Sequence, residues 1–312
     1  MPNFQNIIDH INNTETVNIY FTEKKSDNGN THFEIYKTEI SNDIATALKG
    51  FYIDSIKELT KYNNNEYDLG LTPEQKTLWH LEKNDIPHLS EILSSLDNSI
   101  ALTPAEEVYQ DGSYNKIWSY IVVMETFPRK KLVFFTKYSK SKVINRSNML
   151  SMLFNNGRFD LINNDLFTLA KNFHCLYWGD YLYFKNKYWF EQIFDYNTEL
   201  INQAVVFAED IGDNFISNCN DFRDDCLRDK NKLKKMSNVL NKNYYDQINF
   251  EDIYNIKEKY SLDIELDQEN EKIVYDGDKQ KLWLILKVFD DDYLLSETTK
   301  NRYEVHSKKE QG

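Results

Sequence analysis

Glycine and proline are both scarce, at nine and five residues in a chain of 312. That shortage excludes collagen-like, low-complexity and loop-dominated architectures. The glycines are scattered singly, so neither a phosphate-cradling loop nor a dinucleotide fingerprint is present. HExxH and GxSxG are also missing. The six histidines (His10, His32, His80, His88, His174 and His306) form no ligand-spaced pair. No apolar run reaches the roughly 18 residues a membrane span needs. The opening MPNFQNIIDH has no charged stretch followed by an apolar core, so no signal peptide is expected. The three thiols, Cys175, Cys219 and Cys226, are therefore expected to be reduced, in a cytoplasmic protein. Cys219 and Cys226 lie seven apart on one face of a predicted helix. Zinc would want closer pairs with histidine nearby, so core packing is expected and no metal or other cofactor.

What is abundant is apolar and aromatic. Hydrophobic residues make up 41% and aromatic residues 14%, enough for a packed core and too much for disorder. At roughly 100–200 residues per domain, the length suits two domains or one large one. Thr16–Glu23 alternates apolar and polar and predicts a strand, Ser26–Asn30 a turn, and His32–Thr38 the second arm of a hairpin. Asn3 can cap a helix over 4–11. Ser41 or Asn42 can cap one over 43–61, with Ile44, Leu48, Ile53, Ile56 and Leu59 as its core stripe, ended by the polar run Asn63–Glu66. Pro87 suits the first turn of a helix running to Leu96. Residues 117–127 and 131–138 read as strands about a turn at 128–130, with shorter strands near 159–162, 173–177 and 181–184. Helical periodicity follows at 188–194, 199–211, 217–241 and 250–260. Strands are expected at 262–266 and 272–275, a helix at 278–289, and closing strands at 293–295 and 303–307. The expected class is α+β. An N-terminal, mostly antiparallel sheet with flanking helices over 1–165 precedes a helix-rich domain with a small C-terminal sheet over 166–312.

On 217–241, Cys219, Cys226, Leu233 and Leu240 repeat every seven residues, with Phe215, Phe222 and Met236 as companions and Asp229 as the break. This seam packs either within the chain, against Leu200, Ala204, Phe207 and Ile211, or across a homodimer.

Charge is unevenly spread. The chain carries 37 basic and 50 acidic residues, a net −13. Yet Thr126–Phe159 holds no acid and eight cations: Arg129, Lys130, Lys131, Lys137, Lys140, Lys142, Arg146 and Arg158. That window is +8, so the remainder is −21. Cations near phosphates release condensed counterions, whereas acids repel the backbone. Ser139, Ser141 and backbone N–H groups can add sequence-independent phosphate contacts. An acidic remainder restricts binding to one face. The candidate DNA-binding residues are Arg129, Lys130, Lys131, Lys137, Lys140, Lys142 and Arg146. The other reading is a solvated basic hairpin that pairs with acidic surface. A second cluster, Arg228, Lys230, Lys232, Lys234, Lys235 and Lys242, follows Asp221, Asp224 and Asp225 and reads as a solvated helix face. A third, Lys300, Arg302, Lys308 and Lys309, flanks the last strands. Asp290, Asp291 and Asp292 read as a solvated helix stop.

No catalytic constellation stands out. A metal-dependent nuclease needs an Asp and an acid-x-Lys on adjoining strands. Glu23-Lys24-Lys25 and Glu74-Gln75-Lys76 offer only the latter, so no enzyme activity is expected.

The stretch DLFTLAKNFHCLYWGDYLYFKNKYWFEQIFDY (165–196) sets a strand pair before a helix bearing Phe190-Glu191 and Ile193-Phe194. The tail KLWLILKVFDDDYLLSETTKNRYEVHSK adds a leucine-rich helix, a Leu-Ser-x-x-Thr turn and a Tyr-containing last strand. Together, over 115–309, these resemble the KwaB family of the Kiwa anti-phage defence system. The resemblance implies DNA binding without evident sequence specificity, action against phage DNA and self-association at least as a homodimer. It also implies a membrane protein partner, KwaA, that would bring the chain to the inner membrane. It transfers no individual contact residue and no catalytic mechanism. Two alternatives remain: a metal-dependent nuclease effector and a protein–protein docking module.

Overall fold

The computed structural model describes residues 2–27, 30–67, 76–109, 114–127, 130–139, 143–144, 152–155, 158–161, 166–242, 247–296 and 298–304. The chain divides into two compact units, Met1–Glu66 with Gln75–Tyr196, and Tyr67–Glu74 with Asn197–Gly312. The class is α+β, as the periodicities indicate.

The first unit opens with α1 (Phe4–Asn12), whose N-cap Asn3 accepts from the N–H groups of Gln5 and Asn6 at 3.1 and 3.3 Å. Strands β1 (Thr16–Asp27) and β2 (Asn30–Thr38) form an antiparallel hairpin, Asp27 facing Asn30. Helix α2 (Asn42–Leu59) is capped by Ser41. Its buried stripe is Leu48, Tyr52, Ile56 and Leu59; Ile44, expected in the core, is 43% exposed. Asn63–Glu66, expected only as a break, is a strand, β3, running parallel to β4 (Thr77–Glu82). A polar strand with no alternation survives there because it is the outermost strand and has little to bury.

Helices α3 (Leu89–Asp97) and α4 (Ala105–Val108) precede the long pair β5 (Ile117–Thr126) and β6 (Lys130–Lys137). Four short strands follow. β7 (Val143–Ile144) pairs with β10 (Leu166–Phe167), and β8 (Met152–Asn155) pairs with β9 (Arg158–Leu161). Then β11 (Cys175–Trp178), β12 (Tyr181–Phe184) and α5 (Lys187–Ile193) complete the unit.

The eight-stranded sheet has the order β2-β1-β5-β6-β11-β12-β4-β3, antiparallel except at β3–β4. The division expected at 165 thus falls at Tyr196. The reason is that β11 and β12 are not a separate module: they bridge β6 to β4 inside the sheet. On one face Tyr120, Val122, Met124, Leu132 and Phe134 pack with Ile7 and Ile11 of α1 and with the α2 stripe. Tyr52 lies 4.4 Å from the Phe134 ring and 5.5 Å from that of Phe173. On the other face Ile121, Val123, Val133 and Phe135 are buried, Phe135 against Phe194 beyond α5 at 5.2 Å. Both faces are covered, so β5 and β6 read as near-continuous apolar runs.

The second unit contains α6 (Tyr196–Phe215), β13 (Ile216–Ser217), α7 (Cys219–Leu227) and α8 (Lys230–Lys242). These are followed by α9 (Phe250–Tyr260), β14 (Glu265–Asp267), β15 (Lys272–Val274), α10 (Lys279–Phe289), β16 (Tyr293–Leu295) and β17 (Arg302–Glu304). The small sheets are β13-β15-β14 and β16-β17. The single helix expected over 217–241 is two. Asp229 ends α7 by donating its N–H to the Cys226 carbonyl, and starts α8 by accepting from the Asn231 N–H at 2.9 Å. The interruption in the heptad pattern is therefore a cap. The seam packs within the chain: Phe222 meets Phe207 of α6 at 6.2 Å and Tyr275 at 5.3 Å, while Cys226, Met236 and Val239 are buried.

Candidate functional site

Strand alternation decides where the basic window points its side chains. Lys130 and Lys131 are neighbours on β6 and face opposite sides. Lys137 stands at the far end of the strand, about 23 Å from Lys130 at the usual rise. Arg129, Lys140, Lys142 and Arg146 lie outside the described residues.

At the first end, Lys130 is exposed, with its Nζ 4.3 Å from the Trp178 ring centroid. His10 meets the same indole edge-on at 4.9 Å, and its Nε2 lies 3.0 Å from the Met124 carbonyl. Burial lowers the His10 pKa; the Met124 contact opposes that and the Lys130 charge adds to it. Phe127, beside this pair, is 83% exposed. Lys131 is committed elsewhere: its Nζ sits 2.7 Å from Asp97, 3.1 Å from Glu125 and 3.1 Å from the Leu96 carbonyl. Burial works against its charge, but the two carboxylates prevail and hold its pKa above the ordinary lysine value.

The second end is built around a bulge. Thr22 pairs with Ser119 but Glu23 pairs with Ile117, so Trp118 has no partner on β1. Such an extra residue re-aims a side chain. Here the Trp118 indole N–H donates to the carbonyl of Ile193, the last residue of α5, at 3.2 Å. Lys137 places its Nζ 2.8 Å from the centroid of that ring, and Lys24 approaches it at 5.1 Å. Lys24 is neutralised by Asp195 at 2.6 Å, and Thr31 donates to the other Asp195 oxygen at 2.8 Å. Asp195 reaches both from a left-handed conformation, φ +53°, which Asp tolerates better than most residues. The Lys137 amine has no carboxylate partner among the described residues; its side-chain contact is the indole. Burial, reinforced by the like charge of Lys24 and opposed by Asp195, pushes its pKa down to about 7. The Lys137 backbone N–H donates to His174 Nδ1 at 3.0 Å, and the His174 ring stacks on Trp189 of α5 at 4.6 Å and 3°.

Of the seven sequence-selected cations, the three described ones are thus in three different situations. Lys130 is open, Lys131 ion-paired and Lys137 lodged on a ring. The sequence reading missed Trp118, His174, Asp195 and the pairing role of Lys24. No local signal marks the bulge that gathers them.

The acid-x-Lys candidates assemble no metal centre in what is described. Glu23 is buried and paired with Lys25 at 2.7 Å, Glu74 lies outside the described residues, and no group of three or more metal-ligating side chains exists among those described. Asp290 and Asp292 are not a solvated stop. At 2% and 3% exposure they are buried, and Lys235 bridges them, hydrogen-bonded to Asp290 and 2.5 Å from Asp292. Asn238 donates to the remaining Asp290 oxygen at 2.7 Å. Lys235 is therefore structural and not part of a solvated face. Cys175 and Cys226 are buried free thiols whose pKa burial raises, that of Cys226 to about 12.

A family model described as Kiwa protein KwaB-like matches residues 114–299, more than half of the chain. Neither the curated proteins nor the solved structures yield a match.

Proposed function

The chain belongs to the Kiwa protein KwaB-like family, a component of an anti-phage defence system, and from that premise we propose that it acts there as a non-enzymatic DNA-binding protein. It grips phage DNA through backbone contacts and without sequence readout. It works beside the membrane partner KwaA, which brings it to the inner membrane, and it self-associates at least as a homodimer. No helix among the described residues is long and apolar enough to cross a membrane, so the attachment is assigned to the partner. The observation that carries the DNA reading is the acid-free run Thr126–Phe159, +8 in a chain of −13.

The geometry supports a narrower set of contributing cations. Lys131 is neutralised by Asp97 and Glu125, so the simple phosphate contacts are assigned to Arg129, Lys130, Lys140, Lys142 and Arg146. Five contacts give a log affinity against log salt slope of about −4 to −5. Charge reversal of Lys140 and Lys142 should flatten it by about 2, while Lys131→Ala should leave it unchanged. Gel shifts across a salt series read all three. An unchanged slope in the double reversal would defeat the assignment. Plasmid incubated with Mg²⁺ or Mn²⁺ should be shifted without being nicked; nicking would favour the nuclease reading.

A further inference from the structure

We propose that Lys137 is a proton-linked phosphate seat of the nucleic-acid interface: a backbone phosphate of the bound strand replaces the Trp118 ring as the partner of its amine, and the amine takes up a proton from solvent as it does so. The inference rests on the DNA-binding reading and goes further, because it gives one residue a role distinct from the fixed cations of the same window.

The geometry carries it. The Lys137 amine is half-buried at the end of β6 and faces an indole instead of an acid. Its charged neighbours are few. Lys24 on β1 is of like sign and already neutralised, and Asp195 beyond α5 is the carboxylate that neutralises it, with Thr31 on the second oxygen. On α5 itself, Lys187 lies over the Trp79 ring at 4.3 Å and Glu191 is buried. His174, preceding β11, accepts the backbone N–H of Lys137. The chain that leaves Lys137 is acid-free through Phe159. An indole face attracts an ammonium far less than a phosphate does, so the exchange favours the anion.

Protonation follows from the same arrangement. Free, the amine titrates near 7 because burial and Lys24 disfavour its charge. A phosphate against it favours the charged form and raises that value. The complex therefore holds more protons than its parts, and affinity is greatest below pH 7 and declines as pH rises through it. DNA phosphodiesters do not titrate in this range, and the variants below separate Lys137 from every other group of the chain.

The test is titration calorimetry of the full chain with a short random-sequence DNA duplex at pH 6, 7 and 8, in buffers of different ionisation heat. The wild type should take up about half a proton at pH 7 and lose about tenfold in affinity from pH 6 to pH 8. Lys137→Arg, which cannot release its proton, should bind at pH 8 within about twofold of its pH 6 affinity. Lys137→Met should bind at pH 6 about as weakly as the wild type does at pH 8. Sulfate, whose charge is constant over this range, is titrated in parallel. Duplex binding by the wild type without pH dependence, or the same dependence retained in Lys137→Arg, overturns the seat while leaving DNA binding intact. Proton uptake with sulfate but not with duplex overturns its assignment to nucleic acid. No duplex binding at any pH overturns the DNA reading itself, and the seat with it.

Discussion

In the sheet unit several lysines rest on tryptophan rings: Lys130 on Trp178, Lys137 on Trp118 and Lys187 on Trp79, at 4.3, 2.8 and 4.3 Å. In the helical unit the short lysine contacts are to acids: Lys235 to Asp290 and Asp292, Lys281 to Asp276, Lys287 to Glu304, with the Lys287 and Lys259 amines farther off, 5.9 and 5.7 Å from the Trp283 and Tyr260 rings. Lys24 and Lys131 show that the sheet unit uses carboxylates too. The difference matters for charge. A ring adds no opposing charge, although burial beside one still pushes the Lys137 pKa down, whereas a carboxylate cancels the charge directly. A chain of −13 can thus keep a usable positive field on its sheet while spending its other cations on internal order.

The sharpest way to break this comparison is Lys235→Met. It removes the amine that bridges two buried carboxylates and should cost about 3–5 kcal/mol in urea unfolding; a loss under 1 kcal/mol would mean the bridge is not holding the helical unit. Gly212→Ala on α6 should cost about 1–3 kcal/mol, because a methyl there overlaps the Cys219 side chain of α7; denaturant midpoints decide it. Lys187→Ala, ring-held, should cost only about 0.5–1 kcal/mol by the same measurement. Lys131→Ala should cost under about 1 kcal/mol, since Asp97 is 70% exposed and can return to water. The last test is a pH trend. Lys137 in the folded chain releases its proton near 7, while the unfolded chain keeps it to the ordinary lysine value. Between those limits the unfolded state binds more protons, so stability rises with pH. Unfolding curves from pH 7 to 9 should show that rise, and Lys137→Met should remove that contribution.

Local physics was legible in the residues. The caps Asn3 and Ser41 sit where the sequence puts them, α9 spans Phe250–Tyr260 as its periodicity indicates, and the β5–β6 hairpin follows from its apolar runs. Features that depend on distant partners were not legible. The place of β11 and β12 between β6 and β4 is a choice among pairings that alternation leaves equivalent. The burial of Asp290 and Asp292 requires Lys235, 55 and 57 residues away, to meet them. Asp229 looked like a flaw in a heptad seam because a capping carboxylate and a misplaced polar residue are the same letter. Of the candidate site, the sequence identified the cations and their lack of acidic neighbours, but not which of them the fold would occupy.

The pairing of Thr22 with Ser119 and of Glu23 with Ile117 has an evolutionary corollary. The indole owes its position to one surplus residue in β5, so the bulge is gained or lost by a codon insertion or deletion, whereas a change of letter at 118 removes only the ring. A family member without that residue would run β1 and β5 in uninterrupted step and have no ring at that spot, and its divergence would show up as a one-column gap.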